Sequence, residues 1–345
     1  MNKILLIFLL SALCLQADAQ RKEDQNLSAE EYFLKAKKYA ESDNYTYAAT
    51  LLKRAMEQEP ANTEYELLMA DLQYNRHAYF EAIPLYEKML ASDSKNLVYL
   101  TRLSEMYSMS SQKRKGMEYA ERAMKLKPQN ATDLIRIARA FYEVEHYPKA
   151  IEAYKQAEQI DAKNKDVPFK IANCYQKLTN YRDATLYFEK ALALDPNNAT
   201  KMYETANSCY DANQYQRALE LYEMCESEGS FVNKTMYENW AMTYTQVKNY
   251  DKAIEKYESA LSLSPFDKNL NLSLAETYMQ KGDYKKSRDV IDKLLENIPE
   301  DGEILYTYGM TYYKGGNTNK AEQYFNRAFE LDPSLKTLRY TKTSF

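Results

Sequence analysis

Nine small residues, Ala36, Ala70, Ser104, Ala138, Ala172, Ala206, Ala241, Ala275 and Gly309, recur along this 345-residue chain at intervals of 34, with one interval of 35 between Ala206 and Ala241. A second ladder, Ala48, Ala82, Gly116, Ala150, Ala184, Ala218, Ala253, Ser287 and Ala321, follows the first by 12 residues each time. Self-similarity of this kind displaces the two or three ordinary domains that the length alone would suggest. It specifies short supersecondary units, each completing its core on its neighbours. If every unit starts seven residues before its first small residue, the starts are Ala29, Thr63, Leu97, Ala131, Lys165, Ala199, Lys234, Lys268 and Gly302.

Within a unit the spacing is helical. One apolar stripe, such as Ile171, Ala172, Tyr175 and Leu178, is followed by a polar turn and then a second stripe, such as Ala184, Tyr187, Phe188, Ala191 and Leu192. Small residues at positions 8 and 20 let two helix backbones approach, and large residues at positions 11 and 24 fill the space beside them. A proline at position 32 (Pro60, Pro128, Pro196, Pro265, Pro299, Pro333) ends the second helix or starts the next turn. Tyrosine recurs at position 17 in seven units (Tyr45, Tyr79, Tyr147, Tyr181, Tyr215, Tyr250, Tyr284), so with positions 11 and 24 the framework accounts for 17 of the 33 tyrosines. All of these are expected to be core.

This pattern resembles the tetratricopeptide repeat, a 34-residue helix–turn–helix whose signature has small, aromatic and proline places at these offsets. The resemblance runs from Ala29 to Pro333. Unit 3 departs furthest, with Ser104, Lys113, Gly116 and Ala120 at successive motif places. The family implies an all-α, right-handed superhelical solenoid, here of nine units (29–333), with the first helices lining a concave face that binds peptides. Residues 20–28 would form an N-terminal extension and 334–345 a short cap, in which Leu335, Leu338 and Tyr340 begin to cover the last unit.

Residues 1–19 read as a signal peptide: one early positive charge, an apolar run from Ile4 to Leu15 too short to span a bilayer, and Ala17-Asp18-Ala19 at a cleavage site. Cys14 follows Leu13 rather than a small residue, so lipid attachment is not expected. The mature chain would be secreted across an inner membrane to a periplasm, with no transmembrane segment. Its three cysteines, Cys174, Cys209 and Cys225, fall at or beside packing positions and read as buried thiols, although Cys209 and Cys225 lie on the two helices of one unit. The net charge of −4 argues against a general nucleic-acid binder. Six Asn-x-Ser/Thr triplets start at Asn26, Asn44, Asn130, Asn198, Asn233 and Asn271. The added residue between units 6 and 7 is expected within Glu226–Asn233, a stretch without helical pattern.

Carried onto this sequence, the concave face would present Arg102, Arg136 and Lys170 at position 6 and Arg139, Asn173 and Asn207 at position 9, with Tyr142, Tyr203 and Tyr210 beside them. Guanidinium and amide groups suit a carboxylate or an extended peptide backbone. The opposing reading pairs Arg136 and Arg139 with neighbouring acids. No catalytic motif is present, since His77 and His146 fall in turns and there is no nucleophile elbow, phosphate loop or zinc-binding His pair. No cofactor or metal is expected. The expected function is a non-catalytic scaffold for a protein or extended peptide; the alternatives are an accessory subunit of an envelope secretion or polysaccharide complex, and a glycan binder stacking sugars on exposed Tyr142, Tyr203 and Tyr210.

Overall fold

The computed structural model describes residues 26–228 and 232–337, and among these every regular element is helical. The chain divides after Ile160 into two compact bodies, although the ladders themselves show no interruption there. The first body contains the pairs α1 (Ala29–Glu41) and α2 (Tyr45–Gln58), α3 (Thr63–Asn75) and α4 (Tyr79–Ser92), α5 (Leu97–Ser108) and α6 (Lys113–Lys125), and α7 (Ala131–Glu143) and α8 (Tyr147–Ile160). The second contains α9 (Val167–Lys177) and α10 (Tyr181–Leu194), α11 (Ala199–Asp211) and α12 (Tyr215–Ser227), α13 (Lys234–Gln246) and α14 (Tyr250–Leu263), α15 (Lys268–Lys281) and α16 (Tyr284–Asn297), and α17 (Gly302–Lys314) and α18 (Thr318–Leu331). A short 3-10 helix, Pro333–Thr337, follows. None of the described helices is long and apolar enough to cross a membrane.

Asparagine starts many of these helices. Asn44, Asn62, Asn96, Asn130, Asn180, Asn198, Asn233, Asn249 and Asn317 each accept a backbone N–H of the first turn, a cap of about 1 kcal/mol. Four of the six Asn-x-Ser/Thr triplets, those at Asn44, Asn130, Asn198 and Asn233, are therefore caps. Between the two helices of a unit, position 15 adopts a left-handed conformation at Asp43, His77, Glu145, Thr179, Asn213, Lys248, Gly282 and Gly316. The next N–H then closes onto the position 11 carbonyl, as from Asn180 to Tyr175 at 2.9 Å.

Both ladders are buried throughout. At Gly116 even a methyl group would not fit, because a Cβ there would lie 2.8 Å from the Ser108 nitrogen and 2.9 Å from the Ser104 carbonyl oxygen. That contact explains why unit 3 carries glycine at position 20. Tyr86, Tyr154, Tyr222 and Tyr257 at position 24 are buried, but the position 17 tyrosines are only half-buried. They are the first residues of the second helices, at the edge of the core, where an aromatic body packs while its hydroxyl stays near water. Leu178 is likewise no part of an apolar stripe; it is the exposed C-cap of α9.

α9 begins at Val167, two residues after the expected unit start at Lys165, with Pro168 in its first turn and no side-chain cap from Asp166. The preceding turn has Ala162 where most units have proline. α12 extends into the stretch expected to be irregular, through Ser227, because buried Cys225 and the ion pair from Glu226 to Lys256 at 3.1 Å anchor its last turn. The core of the second body centres on Trp240, which stacks with Tyr222, Tyr237 and Tyr244 and carries the Lys256 ammonium 3.8 Å above its ring. Cys174, Cys209 and Cys225 are free and buried, and burial pushes their thiols up to about 12, 12 and 11. Leu335 packs against the last helix pair. Leu338, Tyr340, Cys14 and the signal-peptide segment lie outside the described residues.

Candidate functional site

Positions 6 and 9 lie one turn apart on each first helix, so a row of first helices presents them as a ladder. At three places position 9 of one unit bonds position 6 of the next: Asp71 with Arg102, Glu105 with Arg136, and Asn207 with Asn239. In the first body Arg102 Nη1 donates to Asp71 Oδ1 and to the Tyr86 hydroxyl, which itself donates to Asp71. One unit later Arg136 Nε donates to Glu105 Oε2 at 2.9 Å, with Arg136 Nη1 on Asp133 at 3.3 Å and Arg139 Nη1 at 3.8 Å from Glu105. Tyr74 also donates to Glu105, and its ring lies under both Arg102 and Arg136. Burial and the adjacent carboxylates push the Tyr74 and Tyr86 phenols well above the usual range, so both remain hydrogen donors.

The second body has the same rung in amides. Asn207 Oδ1 accepts from Tyr222 at 2.6 Å and from Asn239 Nδ2 at 3.0 Å; the same Asn239 nitrogen is 3.1 Å from the Tyr203 hydroxyl. Around this rung opens a cleft of about 260 Å³ lined by Asn207, Tyr210, Asp211, Tyr222, Asn239 and Met242. Burial raises the carboxyl of Asp211, against a hydrogen bond from Gln176, and burial alone raises that of Glu204.

The nine residues expected on the ligand face thus fall into two groups, one in each body. Arg102, Arg136 and Arg139 are brought together, but on acids of their own chain. Tyr142 packs edge-on against Tyr147, as Tyr210 does against Tyr215, and Tyr203 is buried. Tyr203, Asn207 and Tyr210 cluster at the cleft; Lys170 is exposed on α9, where Asn173 is half-buried and has no hydrogen-bond partner among the described residues. Asp71, Glu105, Tyr74, Tyr86, Tyr222, Asn239 and Met242 were not among the expected site residues. Their signal was in the register, since the bonded pairs are 31 or 32 residues apart.

Helix pairs in a single register with a polar ladder along the first helices define a helical-hairpin repeat protein. Two tetratricopeptide repeat models match residues 244–303 and 302–335, and the model of anaphase-promoting complex, cyclosome, subunit 3 matches 177–260. Among solved structures, the C-terminal part of a TPR repeat-containing protein from Cytophaga hutchinsonii is similar at 17% identity and a TM-score of 0.51, covering 79% of this chain and 96% of that one. A tetratricopeptide repeat protein from Parabacteroides merdae is similar at 18% identity and a TM-score of 0.50, covering 73% of this chain and 98% of that one. No curated protein matches the sequence. Residues 244–335 thus match the tetratricopeptide repeat family, and the helix pairs of both bodies share its register.

Proposed function

We propose that this protein is a non-catalytic scaffold of the cell envelope that binds an extended polypeptide on the first-helix face of its second body. The observation that carries the reading is the amide rung at the cleft. Asn239 spends its nitrogen on Asn207 and Tyr203 and keeps its Oδ1 for an incoming N–H, while Asn173 keeps both functions of its amide. An extended backbone offers alternating donors and acceptors, which such amides match whatever the side chains. Met242 adds an adaptable apolar wall. The arginines of the first body are occupied by Asp71, Asp133 and Glu105, so a carboxylate would have to displace an acid already held at close range.

The signal-peptide character of residues 1–19 supports a periplasmic location, which fractionation of the native host would test. For the binding face, a photo-crosslinking residue at Met242 should trap a protein in intact envelopes, while the same residue at Leu186, exposed on second helix α10, should not. Equal or absent trapping at the two positions would overturn the proposal.

A further inference from the structure

In the second body the rung that sets an amide beside a carboxylate is left open. Between α9 and α11 the register sets Asn173 at position 9 and Glu204 at position 6, offset by 31 residues as Asp71 is from Arg102, yet no hydrogen bond joins them. Glu204 is half-buried, and among the described residues it has neither a hydrogen-bond nor an ion-pair partner. Seven residues on, Asp211 lines the cleft from the same helix, roughly 10 Å along the axis. Its interaction is with the neutral amide of Gln176. Among the described residues no lysine or arginine pairs with either carboxylate, whereas Asp71, Glu105 and Asp195 each have a basic partner within reach. Between the two acids lie Asn207 and Tyr210.

A half-buried carboxylate at Glu204 and a second, exposed one at the cleft edge, Asp211, with no cation beside them among the described residues, favour a cation brought from outside. We infer that the polypeptide bound on this face carries basic side chains, received by Glu204 and Asp211 while Asn173, Asn207 and Asn239 hold its backbone. This rests on the function proposed above and names the chemistry of its ligand. Lysine and arginine both suit the site: an ammonium or guanidinium enters as the charge, and the aliphatic stem passes over Tyr210 and Met242. An acidic polypeptide is disfavoured at the same place by like charge.

The test uses the full chain and a phage-displayed library of random dodecapeptides. Selected peptides should be enriched in Lys and Arg, and synthetic copies should bind more weakly as salt rises. The near-isosteric double variant Glu204→Gln/Asp211→Asn, with helicity and Tm checked, should weaken them about 10-fold or more. Selected peptides without basic enrichment, or with unchanged affinity for that variant, would overturn the inference and leave the binding face standing. If no peptide is selected, or if Asn207→Ala/Asn239→Ala leaves the affinities unchanged, the binding face itself is wrong.

Discussion

Arg102 in the first body and Asn239 in the second occupy the same repeat position and make the same connection to position 9 of the preceding unit, yet they leave different surfaces behind. The Arg102 rung joins a guanidinium, a carboxylate and a phenol through Arg102 Nη1, while Arg102 Nε is buried without a hydrogen-bond partner among the described residues. The Asn239 rung joins neutral amides and a phenol, leaves an acceptor over, and stands at a cleft. One register therefore yields a charged clasp in one body and an open polar face in the other. Side-chain identity at two positions decides which.

The contrast can be broken from the charged side first. Arg102→Leu strands the Asp71 carboxylate against Tyr86, and should cost about 2 kcal/mol in urea unfolding, less than a fully buried pair because the Arg102 and Asp71 side chains keep 20% and 34% exposure. Asn239→Leu in the second body removes only neutral hydrogen bonds, so about 1 kcal/mol is expected from the same measurement. Replacing both amides with the charged pair, Asn207→Asp with Asn239→Arg, should change stability by about 0.5 kcal/mol or less, while calorimetry should show a selected peptide no longer binding.

The smallest effect concerns Glu204 and sharpens the contrast through pH. Its folded-state carboxyl sits above the ordinary value of 4.5, so ionisation opposes folding, and the penalty is complete only above the raised folded value. Glu204→Gln should raise Tm by about 1–2 °C at neutral pH. That gain should shrink as pH falls through the raised value and vanish below 4.5, where the carboxyl is protonated in both states. A gain that grows on acidification would mean that Glu204 has a cationic partner after all.

The architecture was legible because it is periodic. The ladders locate the close approach of each helix pair, and at Gly116, against backbone, and Gly309, 2.7 Å from the Phe325 ring, a ladder residue has no room for a Cβ. The position 17 tyrosines were misjudged for a physical reason: periodicity marks them as framework but does not distinguish a core residue from the first residue of a helix lying at the core edge. The asparagine surplus carried a structural meaning, helix capping, that a triplet pattern hides. The ligand face was half legible. Arg102, Arg136 and Asn207 were found from their positions, but their partners lie a whole repeat away, and hydrogen bonding across units depends on a 31- or 32-residue offset that single-helix patterns do not display.

The most direct test of the account compares two triple variants of the full chain against one selected peptide by calorimetry. Arg102→Gln/Arg136→Gln/Arg139→Gln removes the charged clasps of the first body; Asn173→Ala/Asn207→Ala/Asn239→Ala removes the amides of the second. With both variants shown to be folded, the arginine set should leave Kd within about 2-fold, and the asparagine set should weaken it about 30-fold, equivalent to two backbone hydrogen bonds at about 1 kcal/mol each. Loss of binding in the arginine set, with the asparagine set unaffected, would contradict the account.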